Sequence, residues 1–106
     1  MDDDFLIAWC SCPSRAVADT LATALVERRA AACVTALPGA RSTYRWRGKI
    51  EHADEVVLMI KSRASLWSAL TATVAEFHPY EVPELIASPI HEGAPAYLQW
   101  LAESTA

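Results

Sequence analysis

The residues most able to do chemistry in this chain are three cysteines, three histidines and a short acidic stretch. Cys10, Cys12 and Cys33 offer soft sulfur, and His52, His78 and His91 offer imidazole, a donor set that suits copper or zinc. No C-x-x-C or H-x-x-x-H spacing gathers them locally. Cys10-Ser11-Cys12 places two sulfurs on one face of a predicted strand, roughly 7 Å apart by strand rise. At that spacing one of them can meet an ion, whereas both together need distortion. Buried cysteines also serve as small apolar side chains, and Cys33, beside an alanine run, reads that way. His78 stands before Pro79 at the carbonyl-rich end of a predicted helix, as a metal ligand or as a satisfied helix stop. His52 and His91 read as surface residues of a ribbon and a loop.

The acidic stretch is EFHPYEVPELI, residues 76–86. Glu81 and Glu84 are candidates for an acid-base pair. Three residues apart in an extended segment, they are expected on opposite faces. No nucleophile triad declares itself, and no enzyme is expected. Tyr44, Arg45, Trp46, Arg47 and Lys49 cluster at a predicted hairpin tip. They suit either an anion or nucleotide patch or a docking arm between subunits.

The chain that must position these groups has 106 residues, enough for a single domain, 1–106. With 53% hydrophobic and 21% charged residues it has a globular composition. A net charge of −4 argues against nucleic acid as a partner. No apolar run approaches the ~20 residues of a membrane span. FLIAW, residues 5–9, follows Asp2, Asp3 and Asp4 rather than a basic segment, so neither a signal peptide nor a membrane association is expected. A cytoplasmic location follows, with its cysteines as free thiols. Three glycines cannot build a G-x-G-x-x-G or P-loop pattern.

Periodicity orders the elements. Phe5–Ser11 reads as a strand apolar on both faces, with Phe5, Ile7 and Trp9 opposite Leu6, Ala8, Cys10 and Cys12. Ser14 is a plausible cap for a helix carrying Val17, Leu21 and Leu25, with Arg28 and Arg29 suited to its end. A second strand starts at Cys33, kinks at Pro38-Gly39, and turns at Arg47-Gly48. That turn sets Trp46 opposite Lys49, Tyr44 opposite Glu51 and Arg41 opposite Asp54. The resulting ribbon is too long for one small domain to cover, and its outer half reads as an arm that contacts another subunit. Ser65 should cap a second helix with Leu66, Leu70, Val74 and Phe77 on one stripe, stopped at Pro79. Pro83 and Pro89 bracket a last strand, ELIASPI. Pro95 opens a short helix with Tyr97, Leu98, Trp100 and Leu101 on its apolar face. The order β-α-β-β-α-β is the split-βαβ, ferredoxin-like plan, an α+β fold with one antiparallel sheet and two helices on one face. The other face needs a cover, and a second copy of the chain provides one.

AACVTALPGARSTYRWRGKIE (31–51), FHPYEVPELIASPI (77–90) and AYLQWL (96–101) resemble the CutA family of divalent-cation tolerance proteins. The resemblance spans essentially the whole chain. It implies a ferredoxin-like homotrimer related to PII signalling proteins, with the hairpin reaching onto a neighbour and no established catalysis. It also implies a copper site, with Cys10 at the end of the first strand and His78 of the HPY motif as ligands. Some members carry a second histidine where this chain has Phe77, so a weaker site favouring Cu(I) is expected. No cofactor is obligatory; copper or another divalent cation is the expected ion. Tyr80, Glu81, Glu84 and Trp46 are expected to line an inter-subunit cleft. Three roles follow: a trimeric metal-tolerance protein, a PII-like sensor of a small anionic ligand, or a trimeric scaffold anchoring another protein.

Overall fold

Phe5–Cys12 forms strand β1 in a computed structural model that describes residues 4–106. Asp2 and Asp3 of the acidic start lie outside the described residues. Ser14 caps helix α1 (Arg15–Glu27), its hydroxyl accepting the Val17 N–H at 3.2 Å. Ala18, Leu21, Ala24 and Leu25 form the buried stripe of α1. The helix closes with Ala30 N–H on the Leu25 carbonyl and Arg29 N–H on that of Val26. Arg29 takes the left-handed conformation this ending requires, at φ 57°. Arg28 does more than complement the helix end. Its guanidinium grips the Glu76 carboxylate through bonds of 3.1 and 2.9 Å and ties the first helix to the second.

β2 (Cys33–Trp46) and β3 (Lys49–Arg63) form the long ribbon. Trp46 pairs with Lys49, Tyr44 with Glu51 and Arg41 with Asp54, as the turn chemistry requires. Arg47 and Gly48 both have positive φ, 51° and 81°, the geometry of a two-residue hairpin turn. Between Leu37 and Ala40 β2 advances three residues while β3 advances two, from Val57 to Glu55. Pro38 and Gly39 therefore make a bulge, with Gly39 at φ 85°.

The second helix departs from expectation at its start. Ala64–Leu66 is a 3-10 turn, α2 begins at Trp67, and its capping position is Leu66 rather than Ser65. α2 (Trp67–Phe77) ends where Pro79 dictates. β4 spans only Ile86–Pro89, because residues 80–82 bend and the chain rejoins the sheet late. α3 (Pro95–Ser104) starts on its proline. Of its apolar stripe Leu101 is buried, while Tyr97 and Trp100 lie exposed against each other.

The sheet order is β2-β3-β1-β4, every neighbour antiparallel, which is the ferredoxin-like arrangement. On one face Ala8, Cys10 and Cys12 of β1 and Val56, Leu58 and Ile60 of β3 pack beneath Leu21, Leu25, Leu70 and Val74 of the two helices. The opposite face carries the half-buried Ile7, Trp9, Val57 and Met59. α3 is tied to that side by the Arg63 guanidinium, which donates to the Thr105 carbonyl at 3.0 Å. The arm makes the molecule elongated, 44 × 25 × 24 Å. No helix among the described residues is long and apolar enough to cross a membrane.

Two neighbours on α1 test the packing. Leu25 is 0% exposed and Val26 is 44% exposed. Leu25→Ala should lower unfolding free energy by about 2–5 kcal/mol in denaturant melts. Val26→Ala should change it by no more than about 0.5 kcal/mol. Equal losses would place the α1 stripe wrongly.

Candidate metal centre and the adjoining groove

Period-2 alternation turns Cys10 and Cys12 toward the helices, and both are fully buried. Leu58 and Val56, their partners on β3, close the sheet side. α2 stops at His78, which adopts extended backbone angles (φ −88°, ψ 132°) while its N–H still reaches the Val74 carbonyl at 2.9 Å. This stop delivers the imidazole to the end of β1. One ligand atom from each of Cys10, Cys12 and His78 lies within 4.8 Å of the other two. The structure thus brings together the two residues expected as ligands and adds Cys12. Strand rise separates backbone positions; the two sulfurs converge more closely than that rise alone suggested.

The imidazole is fully engaged. His78 Nε2 lies 2.8 Å from the Ser11 carbonyl oxygen, and Nδ1 lies 3.2 Å from the Tyr80 backbone nitrogen. A carbonyl only accepts and an amide N–H only donates, so the ring proton sits on Nε2 and the Nδ1 lone pair is committed. A metal ion at Nδ1 would replace the Tyr80 bond. The two thiols are coupled. A hydrogen bond with Cys12, then burial, holds Cys10 far above the ordinary thiol range, and the charges of Glu84 and Glu55 add to this. The same bond draws Cys12 down, against burial and Glu55. Two sulfurs and an imidazole fit a soft ion such as Cu(I), whereas tetrahedral zinc needs a fourth ligand. Cys33 is half-buried on β2, 4.0 Å from the Thr35 hydroxyl. His52 meets Thr43 on the arm at 3.0 Å, and His91 is exposed.

On the other side of Ser11 lies an open groove of about 620 Å³. Trp46, Tyr80, Glu81 and Glu84 line it, together with Tyr44 and Glu55. The expected cleft residues therefore share one surface, built within a single chain. Glu81 and Glu84 were expected on opposite faces, but the bend at residues 80–82 breaks the extended geometry and turns both into the groove. Arg47 reaches Glu81 at 3.4 Å, an exposed pair worth little on its own.

Glu55 is the residue that sequence reasoning missed. It is only 6% exposed and accepts a hydrogen bond from the Tyr80 hydroxyl at 2.8 Å. Its signal was its place at the head of the apolar run EVVLMI, where alternation sets it opposite to the helix-facing Val56. The Tyr80 ring also packs on His78, with centroids 4.7 Å apart.

Burial, and then the Glu55 bond, push the Tyr80 phenol up from 10.0 to about 12. The folded value lies above the unfolded one, so this contribution to stability is complete below pH 10 and is lost as pH rises toward 12. Ultraviolet titration should show one tyrosinate transition near pH 12 that disappears in Tyr80→Phe and moves down in Glu55→Gln. A Tyr80 transition at the ordinary phenol value would refute the burial of this contact.

The profile of the CutA1 divalent ion tolerance protein family matches residues 6–104. Protein CutA of Mus musculus is 49% identical over 98 residues, covering 92% of this chain. This chain spans only 55% of the mouse protein's length. Divalent-cation tolerance protein CutA of Pectobacterium atrosepticum is 46% identical over 101 residues, covering 95% of this chain and 92% of its own. Among solved structures, CutA of Xylella fastidiosa superposes with a TM-score of 0.94 at 42% identity, covering 97% and 99% of the two chains. The Thermus thermophilus divalent cation tolerance protein gives 0.94 at 43%, covering 96% and 99%. On fold, sequence and coverage together, the chain belongs to the CutA1 family of divalent ion tolerance proteins.

Proposed function

We propose that this chain acts as a homotrimeric metal-ion tolerance protein, a binder rather than an enzyme, that takes up copper at the end of β1. The observation that carries the reading is the convergence of Cys10, Cys12 and His78 to within 4.8 Å. Buried soft donors at one corner of the core either bind something or pack as neutral groups. Family membership favours the first. The site's donors favour Cu(I) over harder divalent ions. A cytoplasmic setting, which keeps thiols reduced, belongs to this reading. The relatives vary in this respect, with one from Arabidopsis thaliana named as chloroplastic.

Assembly is supported by surface that one chain leaves uncovered. Leu37, Trp46, Ile50, Val82 and Ile86 are exposed on the arm, the 79–84 loop and the sheet edge. β2 and β4 are open edges, and a closed ring of copies removes such edges. The groove supports a second reading, a sensor of a small ligand. Three carboxyl groups line it, from Glu55, Glu81 and Glu84. An anionic ligand would thus need positive charge, from Arg47 beside Glu81 or from a neighbouring subunit.

Copper titration under reducing conditions tests the metal reading. Cys10→Ser should weaken binding more than His78→Ala, since the imidazole lone pair is already committed, and Cys33→Ser should match the parent. Unchanged binding in all three variants, or loss in Cys33→Ser alone, would remove the assignment. Sedimentation at micromolar concentration should show a trimer, and Trp46→Ala should weaken it by about 2 kcal/mol or more. A stable monomer for the parent chain would contradict the assembly.

A further inference from the structure

Cys12 stands beside Cys10 in the buried corner, yet neither the family resemblance nor the HPY motif gives it a role. We infer that Cys10 and Cys12 together form a two-coordinate dithiolate site for Cu(I), with His78 as a positioning residue rather than a ligand. The inference rests on the metal reading above and sharpens it.

Geometry carries it. Metal–sulfur bonds of about 2.3 Å put two sulfurs about 4.6 Å apart across a linear ion. The Cys10 and Cys12 sulfurs lie within 4.8 Å of each other, close enough for both to bond one ion. His78 has no such freedom. Its Nε2 proton is held by Ser11 at 2.8 Å and its Nδ1 lone pair by the Tyr80 N–H at 3.2 Å. Recruiting it would unfasten either the strand or the loop. Two soft donors, beside a third that its own hydrogen bonds already hold, select Cu(I), which accepts low coordination, over zinc, which takes four ligands.

The binding step balances without redox chemistry. One Cu(I) ion replaces two thiol protons, both S–H bonds break, two Cu–S bonds form, and two protons leave to solvent. The copper stays in the +1 state throughout. The ion arrives beside a groove lined by Glu55, Glu81 and Glu84, and carboxylates there raise the local concentration of cations.

Cu(I) competition against a chromophoric chelator, with X-ray absorption at the copper edge, tests this. The parent chain should bind one Cu(I) with two sulfur scatterers and no nitrogen. Cys12→Ser, which keeps the side-chain size, should lose more than about 100-fold in affinity. That exceeds the 10–100-fold cost of removing a supporting partner, which is the effect expected for His78→Gln. Unchanged affinity in Cys12→Ser, or a sulfur-plus-nitrogen spectrum, would overturn the dithiolate and leave the Cys10 reading standing. Absence of stoichiometric copper in the parent would overturn both. If Cys12→Ser fails to fold, as judged by circular dichroism, the parent spectrum alone decides.

Discussion

His78 reaches from the end of α2 to the end of β1 and donates its Nε2 hydrogen to the Ser11 carbonyl, a partner 67 residues away in sequence, at 2.8 Å. The bond is buried, so breaking it would leave an unsatisfied carbonyl at a cost of about 1–3 kcal/mol. The second ring nitrogen accepts from Tyr80 and sets where the 79–84 loop begins. One side chain therefore fixes strand, helix end and loop relative to one another. The sulfur pair lies on the helix side of β1. The groove lies on the opposite side, and Tyr80 is held there by Glu55.

The two sites that flank this clasp differ in chemical character. Behind it are thiols in a core that contains Leu58, Leu70 and Val74, where neutral, hydrogen-bonded groups are the stable form. In front of it, carboxyl and aromatic groups face solvent in a groove large enough for a small ligand.

Much of the fold was legible because its determinants are local. Pro79 stops α2 whatever surrounds it, and the Arg47-Gly48 turn fixes the ribbon pairs from Trp46–Lys49 to Ala40–Glu55. Pro38-Gly39 supplies the bulge, and alternation in FLIAWCSC assigns the two faces of β1. What was not legible depends on contacts between distant segments or on backbone bends without a clear local signal. Strand rise gave the wrong impression for Cys10 and Cys12, because it measures backbone spacing and says nothing of how sulfurs converge. Glu81 and Glu84 share a groove only because residues 80–82 bend. Glu55 gains its meaning from Tyr80, 25 residues away. Ser65 was a sound capping residue that the 3-10 turn at Ala64–Leu66 passed over.

The most direct measurement of the clasp is long-range proton–nitrogen NMR of the His78 ring. The expected result is a single, slowly exchanging proton on Nε2, coupled to the Ser11 carbonyl, with Nδ1 bare and shifted as a hydrogen-bond acceptor. A proton on Nδ1, or a ring averaging between orientations, would contradict the arrangement and with it the separation of the thiol corner from the groove.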